Sequence, residues 1–231
     1  KPGTVAGLSV EQLTQVLKYH VVSGAGVKAA DLKNGQLVKT LAGTVAAIDL
    51  SGDKPKINGV TISKTDVVAK NGVIHVIDEV LLPPGDIIEV ATAAGKFSKL
   101  AGALTAAGLV ESLKGEGPFT VFAPTDDAFA KLSSAPTGDA LKNVLLYHVI
   151  DGTLGPVDLK EGGAAMTLAG SPVLFSLAGD AKINDAKITT TNVVAKNGVI
   201  HIIDTVIVPP KDDIVATASA AGTFTKLAAA L

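Results

Sequence analysis

Residues 71–84 read NGVIHVIDEVLLPP and residues 197–210 read NGVIHIIDTVIVPP, so one stretch occurs twice in the chain. His75 corresponds to His201, which gives an offset of 201 − 75 = 126 positions. In each copy the Asn-Gly pair predicts a tight turn with positive φ angles, and the Val- and Ile-rich run predicts a buried strand that ends at Pro-Pro. The repeated unit indicates tandem modules of about 126 residues.

The composition of the 231 residues restricts the core and the chemistry. Aromatic residues make up only 3% and Trp is missing, so we expect a core of aliphatic side chains. The sequence has no Cys and no Arg, which excludes disulfides, thiolate metal sites, cysteine nucleophiles and guanidinium clamps. The net charge of −2 argues against nucleic acid or an anionic membrane as a partner held by charge. We predict no cofactor, no metal and no membrane span in this chain.

Capping residues and apolar periodicity predict the helices. Ser9 and Gln12 form a capping box, Thr137 is a second candidate cap, and Asp86 is predicted to cap a helix from Ile87 to Ala94. The apolar spacing predicts three buried helix faces: Leu13, Val16, Leu17 and His20; Leu141, Val144, Leu145 and His148; Phe97, Leu100, Ala101 and Leu104.

Short apolar runs between turn residues predict strands. Hairpin strands are expected from Gln36 to Ile62, with Asn58-Gly59 as one turn, and a strand bounded by prolines is expected within residues 117–125. Thr125 or Asp126 then caps a short helix. Further strands are predicted at Met166–Leu168, Val173–Leu177 and Ile183–Thr191.

Three motifs resemble the hallmarks of the fasciclin-like domain family. Residues 117–129, GPFTVFAPTDDAF, resemble the first hallmark, and residues 71–84 and 197–210 resemble the second. Tyr19-His20 and Tyr147-His148 are similar to the tyrosine–histidine motif between them. The resemblance implies an α+β fold in tandem: a β-sheet wedge or sandwich with several helices packed against it. It also implies secreted or surface-anchored extracellular proteins used for cell adhesion and matrix contacts.

The order of the motifs predicts three parts of the chain. Residues 1–84 correspond to the C-terminal two-thirds of a fasciclin-like domain, residues 85–210 to a complete domain, and residues 211–231 to the opening helices of another. The last assignment rests on Asp212–Leu231, which repeats Asp86–Leu104. Both chain ends are then expected to fall inside modules, either because the chain is part of a longer array or because neighbouring chains complete each other's modules.

The four histidines are the first candidates for chemistry, and they form matched pairs: His20 with His148, and His75 with His201. The sequence has no serine-hydrolase elbow, no Walker loop and no His-Glu-x-x-His helix, so we predict no enzyme. Neutral histidines hydrogen-bonded in the core are expected instead. Asp78 and Asp204 lie three positions after the strand histidines, which favours bonding to a loop over a catalytic pair.

The remaining candidate residues fall into two sets. The resemblance to the family points to partner binding through Tyr19, His20, Tyr147 and His148. A structural role is expected for His75, Asp78, Phe119, Pro124, Thr125, Asp126, His201 and Asp204.

The leading functional prediction is a non-enzymatic, extracellular adhesion or matrix protein. Its expected partners are matrix or cell-surface proteins or glycans, together with neighbouring fasciclin-like modules, including copies of its own. Two alternatives stay open: a module that binds an apolar, lipid-like ligand, and a structural subunit of an extracellular fibre.

Overall fold

The computed structural model describes residues 6–24 and 26–211. We call residues 6–84 the first module and residues 85–210 the second module, following the predicted boundaries. The α-helices in the described part are α1 (Val10–Tyr19), α2 (Ile87–Ala93), α3 (Ser98–Ala106), α4 (Val110–Lys114), α5 (Asp126–Ala130) and α6 (Gly138–Tyr147). The prediction for Asp212–Leu231 lies outside the described residues.

The strands fall into one sheet per module. Those of the first module are β1 (Leu37–Lys39), β2 (Val45–Asp49), β3 (Lys56–Ile57), β4 (Val60–Ala69) and β5 (Gly72–Ile77). Those of the second module are β6 (Phe119–Pro124), β7 (Val149–Asp151), β8 (Ala164–Met166), β9 (Pro172–Ser176), β10 (Lys182–Ile183), β11 (Ala186–Ala195) and β12 (Gly198–Ile203).

The sheet of the second module has the order β7-β6-β12-β11-β10-β9-β8. Strands β6 and β12 pair in parallel, and the other neighbours are antiparallel. A bridge between Ile150 and Thr167 joins the two ends of the sheet, which therefore curls around a core. That core includes Phe122, Val173 and Ile203. Helices α2, α3, α4 and α6 enclose a second core against β6, β7 and β12.

The first module contains the antiparallel sheet β1-β2-β3-β4-β5, one α-helix, α1, and a short 3-10 helix at Ala29–Asp31 in its described part. Its core is smaller and centres on Tyr19, Ala46 and Ile48. Strand β5 pairs only with β4, so it is an edge strand, whereas its counterpart β12 lies between β6 and β11. The α+β fold in tandem predicted from the sequence is confirmed.

Most element predictions are confirmed. Ser9 and Gln12 form the capping box of α1, and Asp86 caps α2 through the Glu89 N–H. Thr137 occupies the N-cap position of α6 without a side-chain hydrogen bond. Asn58 and Gly59 have φ angles of +48° and +81°, as a tight hairpin turn requires.

Two burial predictions are wrong in the first module. Leu13 and Leu17 on α1 are 38% and 60% exposed, whereas Leu145, which corresponds to Leu17, is 3% exposed. His20 on the same predicted face is also exposed, whereas the corresponding His148 is 2% exposed. Ile74 on β5 is 54% exposed, whereas the corresponding Ile200 is 1% exposed. In the second module these positions are covered by α2, α3 and β6, which have no counterpart among the described residues of the first module.

One local prediction is wrong for another reason, and one alternative left open by the sequence is decided. The Asn-Gly pairs of the copied stretch do not have positive φ angles. Gly198 is needed because a Cβ there would overlap the Phe119 carbonyl oxygen across the parallel strand pair. Of the two candidate caps, Thr125 caps α5, and Asp126 bonds to the start of α3 instead.

Candidate functional site

The tyrosine–histidine motif ends α6 and turns its side chains inward. Tyr147 is 2% exposed and donates its hydroxyl proton to the Pro172 carbonyl oxygen at 2.8 Å. It accepts from Asn184 Nδ2 at 3.0 Å, while Asn184 Oδ1 accepts from the Leu174 N–H at 2.9 Å. The tyrosine therefore connects α6 to β9 and to the turn between β10 and β11, and Asn184 was not singled out by the sequence.

His148 is the C-cap of α6, and both of its ring nitrogens are engaged. Nδ1 donates to the Val144 carbonyl oxygen at 2.7 Å, and Nε2 accepts from the Ile207 N–H at 3.1 Å. This arrangement requires the neutral ring with its proton on Nδ1. Complete burial lowers the pKa of His148 to about 4, although the bond to Val144 opposes the shift.

His201 lies at the centre of β12 and is also buried. Its Nε2 donates to the Leu154 carbonyl oxygen at 2.8 Å, and its ring stacks on Phe122 at a centroid distance of 5.2 Å. Nδ1 is then the unprotonated nitrogen, and it has no hydrogen-bond partner. Burial lowers the pKa of His201, against a smaller opposing effect of the bond to Leu154.

The side chain of Asp204 hydrogen-bonds to strand β11 and to the adjacent Thr205. Its Oδ1 accepts from the Lys187 N–H and from the Thr205 hydroxyl, both at 3.0 Å. Lys131 forms an exposed ion pair with it at 3.7 Å. The counterpart Asp78 is exposed, and its backbone N–H donates to the Thr61 carbonyl oxygen.

Residues of the first hallmark motif hold the second module together. Strand β6 lies in the middle of the sheet between β7 and β12, from Phe119 to Pro124. Thr125 caps α5 by accepting from the Ala128 N–H. Asp126 accepts from the N–H groups of Ser98 and Lys99 at the start of α3. The bond from Lys99 and then that from the Ser98 hydroxyl hold the pKa of Asp126 below its usual value.

Asn197 is the structural residue that sequence reasoning missed, since it was assigned only to a turn. It is 6% exposed. Its Oδ1 accepts from the Ile87 N–H at 3.0 Å, and its Nδ2 donates to the carbonyl oxygens of Leu113 and Gly115 at 2.7 Å each. One side chain therefore joins the start of α2, the end of α4 and the start of β12.

The first module repeats these internal bonds in a more open setting. His20 Nδ1 donates to the Val16 carbonyl oxygen, and the Leu81 N–H donates to His20 Nε2. His75 Nε2 donates to the Val27 carbonyl oxygen at 2.9 Å. Tyr19 is 1% exposed and donates its hydroxyl proton to the Val45 carbonyl oxygen. Partner binding by the tyrosine–histidine residues stays a prediction, and the geometry gives their side chains internal partners.

The histidines and carboxylates described above offer little for catalysis or metal binding. His148 has no free ring nitrogen for proton transfer, and the free Nδ1 of His201 is buried. Within residues 6–24 and 26–211, no three His, Asp or Glu side chains are grouped as metal ligands. The enclosed apolar cavity between α2, α3 and β6 has a volume of about 20 Å³, far below the roughly 300 Å³ of small ligand pockets. That size disfavours a lipid-like ligand there.

Comparison with known sequences identifies the family. The sequence profile of the Fasciclin domain matches residues 1–83 and 95–209. The chain belongs to the fasciclin domain family. The two matched ranges each correspond to one of the two fasciclin modules described above, and each ends close to a Pro-Pro pair.

Relatives of this fasciclin chain come from several kingdoms. Protein sll1483 from Synechocystis sp. is 38% identical over 184 residues, covering 75% of this chain and 99% of that protein. Transforming growth factor-beta-induced protein ig-h3 from Sus scrofa is 32% identical over 199 residues, covering 78% of this chain. The chain spans 27% of the length of ig-h3, so it corresponds to about a quarter of that protein.

A solved structure of the FAS1 domain pair from the insect cell adhesion molecule Fasciclin I is also similar to this chain. It is 19% identical in sequence, with a TM-score of 0.49, and the match covers 86% of this chain and 80% of that one. Among the helices of the described part of the chain, none combines the length and apolarity needed to cross a bilayer.

Proposed function

We propose that this fasciclin chain is a non-enzymatic, extracellular adhesion or matrix protein that acts through the outer surfaces of its modules. The main support for the proposal is that the family's motif residues are buried and form hydrogen bonds within their own module. Tyr147, His148 and His201 are each 2% exposed or less, and each is bonded to backbone of its own module. Their polar atoms support the fold, which leaves recognition to the surface.

Family membership supports the adhesive role. Fasciclin domain proteins such as ig-h3 and periostin are adhesion or matrix proteins. Binding through modest contacts on several modules gains strength from multivalency, because each additional contact forms at a high effective concentration. Tandem modules therefore suit attachment to a matrix or cell surface that presents many copies of one protein or glycan.

Attachment of the full chain to surfaces tests the proposal. We expect beads coated with the chain to bind cells of the source organism, or their isolated surface matrix, saturably and in competition with soluble chain. Attachment no greater than that of albumin-coated beads would contradict the adhesive role.

The variant Tyr147→Phe tests whether attachment uses the outer surface of the second module or its tyrosine–histidine motif. It removes the hydroxyl that bonds Pro172 and Asn184, so we expect a loss of about 1–2 kcal/mol in the free energy of unfolding. Attachment at a temperature where the variant is fully folded should stay within about twofold of the parent, since a twofold change is only about 0.4 kcal/mol. A folded variant that no longer attaches would place the adhesive contact at the motif.

A further inference from the structure

The two modules touch through the β1–β2 hairpin of the first and strand β11 of the second. Asn192 Nδ2 on β11 donates to the Gly35 carbonyl oxygen, just before β1, at 2.9 Å. Leu37 of β1 lies so close to Gly155 that a Cβ on that glycine would be 3.1 Å from the leucine side chain. A Cβ on Gly35 would likewise be 3.1 Å from the Pro156 ring. We call Gly155, Pro156 and Asn192 the receiving residues of the second module.

The receiving residues differ from their counterparts in the first module, which are Lys28, Ala29 and Asp66 (155 − 28 = 127, 156 − 29 = 127 and 192 − 66 = 126 positions earlier). Asp66 and Asn192 have the same backbone conformation, with φ of +59° and +58°. Asp66 bonds within its own module, since its Oδ1 accepts from the Ala29 N–H at 2.9 Å. Proline has no N–H, so Pro156 has nothing to donate to Asn192, whose Oδ1 has no hydrogen-bond partner. The asparagine amide bonds to the other module instead.

A short, stiff connection joins the modules at a second point. Leu81 is 5% exposed in the core of the first module, and its N–H donates to His20 Nε2 at 3.1 Å. The Gly85 carbonyl oxygen accepts from the Lys196 N–H, directly after β11, at 2.7 Å. Only residues 82–84 lie between these anchors, and two of them are prolines, whose rings fix φ. The connection therefore leaves few bonds free to rotate.

The two attachment points lie at different places along β11. Asn192 precedes Lys196 by 196 − 192 = 4 positions, which corresponds to roughly 10 Å along a strand. A connection alone acts as a hinge, and linked domains move relative to each other by default. A second bond this far from the hinge opposes bending about it. The acceptor is itself held in place, because the Gly35 N–H donates to the Ile48 carbonyl oxygen of β2 at 2.9 Å.

We propose that the receiving residues lock the two modules into one rigid unit with a fixed angle between them. Asn192 is the positioning residue, because its amide spans the contact, while Gly155 and Pro156 shape the surface on which the hairpin packs. A rigid pair presents the outer surfaces of its modules at one spacing, which restricts the partners that both modules engage at once. The inference concerns the arrangement of the modules alone and holds whether or not the chain is adhesive.

The repeat supplies a variant that should open the contact while the second module stays folded. We call it the swapped chain: Gly155→Lys, Pro156→Ala and Asn192→Asp together introduce the residues of the first module. The introduced carboxylate should accept from the N–H gained at position 156, as Asp66 does in the first module. It has no proton for the Gly35 carbonyl oxygen. We expect the ratio of closed to open arrangements to fall at least about tenfold, through loss of the hydrogen bond and of the close packing.

Pulsed electron paramagnetic resonance between two spin labels measures the distance between the modules and its spread. The chain has no Cys, so Lys18→Cys on α1 and Lys142→Cys on α6 place one label on an exposed helix position of each module. We expect one narrow distance distribution in the parent and a broad one in the swapped chain. The matched control Asp66→Asn changes the counterpart of Asn192 and should stay narrow. A broad distribution in the parent, or an equally narrow one in the swapped chain, would overturn the proposal.

NMR relaxation of the backbone nitrogens gives a second readout that needs no label. A rigid pair tumbles as one body, so both modules of the parent should share one rotational correlation time. In the swapped chain each module should tumble faster than in the parent. If circular dichroism shows the swapped chain unfolded, Asn192→Ala takes its place; it removes only the bond to Gly35 and should lower the ratio of closed to open arrangements about fivefold. Different correlation times for the two modules of the parent would refute the rigid unit.

Discussion

Replacing Asn197 with Ala is expected to lower the free energy of unfolding of the second module by about 3–5 kcal/mol, as the loss of a buried hydrogen-bond network does. The side chain is 6% exposed and makes three hydrogen bonds, to Ile87, Leu113 and Gly115. Truncation leaves these three backbone groups without their partner. Urea unfolding of the full chain measures the loss.

The repeat supplies a matched control for this substitution. Asn71 is the counterpart of Asn197 and is exposed, so Asn71→Ala should change the free energy of unfolding by no more than about 0.5 kcal/mol. Asn197→Asp would place a buried carboxylate oxygen against the carbonyl oxygens of Leu113 and Gly115, so it should cost at least as much as Asn197→Ala. Equal losses from Asn71→Ala and Asn197→Ala would show that the side chain does not join α2, α4 and β12 as described.

Mild acid is expected to destabilise the second module before its carboxylates titrate. The pKa of His148 is about 4 in the folded chain and about 6.5 when unfolded, so the unfolded chain binds more protons between these values. The contribution of His148 is complete above about pH 6.5 and falls by about 1.4 kcal/mol per pH unit below it. The total loss from this residue at pH 4 is about 3 kcal/mol. The buried His201 shifts in the same direction and adds to the loss.

Urea unfolding at a series of pH values measures this dependence. His148→Gln should be less stable than the parent at neutral pH and should lose less stability on acidification, because the titrating ring is gone. His20→Gln keeps both buried histidines and should retain the acid dependence of the parent. A free energy of unfolding that stays constant from neutral pH to about pH 4.5 would contradict neutral, buried histidines, since their shifted pKa values require a slope.

The sequence predicted local structure well where local chemistry determines it. Ser9, Asp86 and Thr125 cap helices because a short polar side chain placed before an apolar, helix-spaced run bonds to the first free N–H groups. The Asn58-Gly59 turn followed from φ preferences. The strand bounds were predicted less well, since Met166–Leu168 overlaps β8 only at Met166 and Ile183–Thr191 spans β10, a turn and part of β11. The family motifs then indicated the α+β fold, which no single element would have done.

The remaining features depend on contacts between distant segments. The bond from Asp126 to the start of α3 joins residues 28 positions apart, and Asn197 bonds to Ile87 over 110 positions. Leu17 has the same helical spacing as Leu145, but the elements that bury the latter are missing around α1 in the described residues. Periodicity shows which side chains share a face, and only the packed fold shows whether that face is covered.

We propose that the buried histidines His148 and His201 are internal supports of the second module. Nitrogen NMR of the imidazole rings tests it most directly, because it reports the tautomer and charge of each ring. At neutral pH the spectra should show His148 neutral with its proton on Nδ1 and His201 neutral with its proton on Nε2, both protected from exchange with solvent. A charged ring, the opposite tautomer or rapid solvent exchange at His148 and His201 would contradict the account.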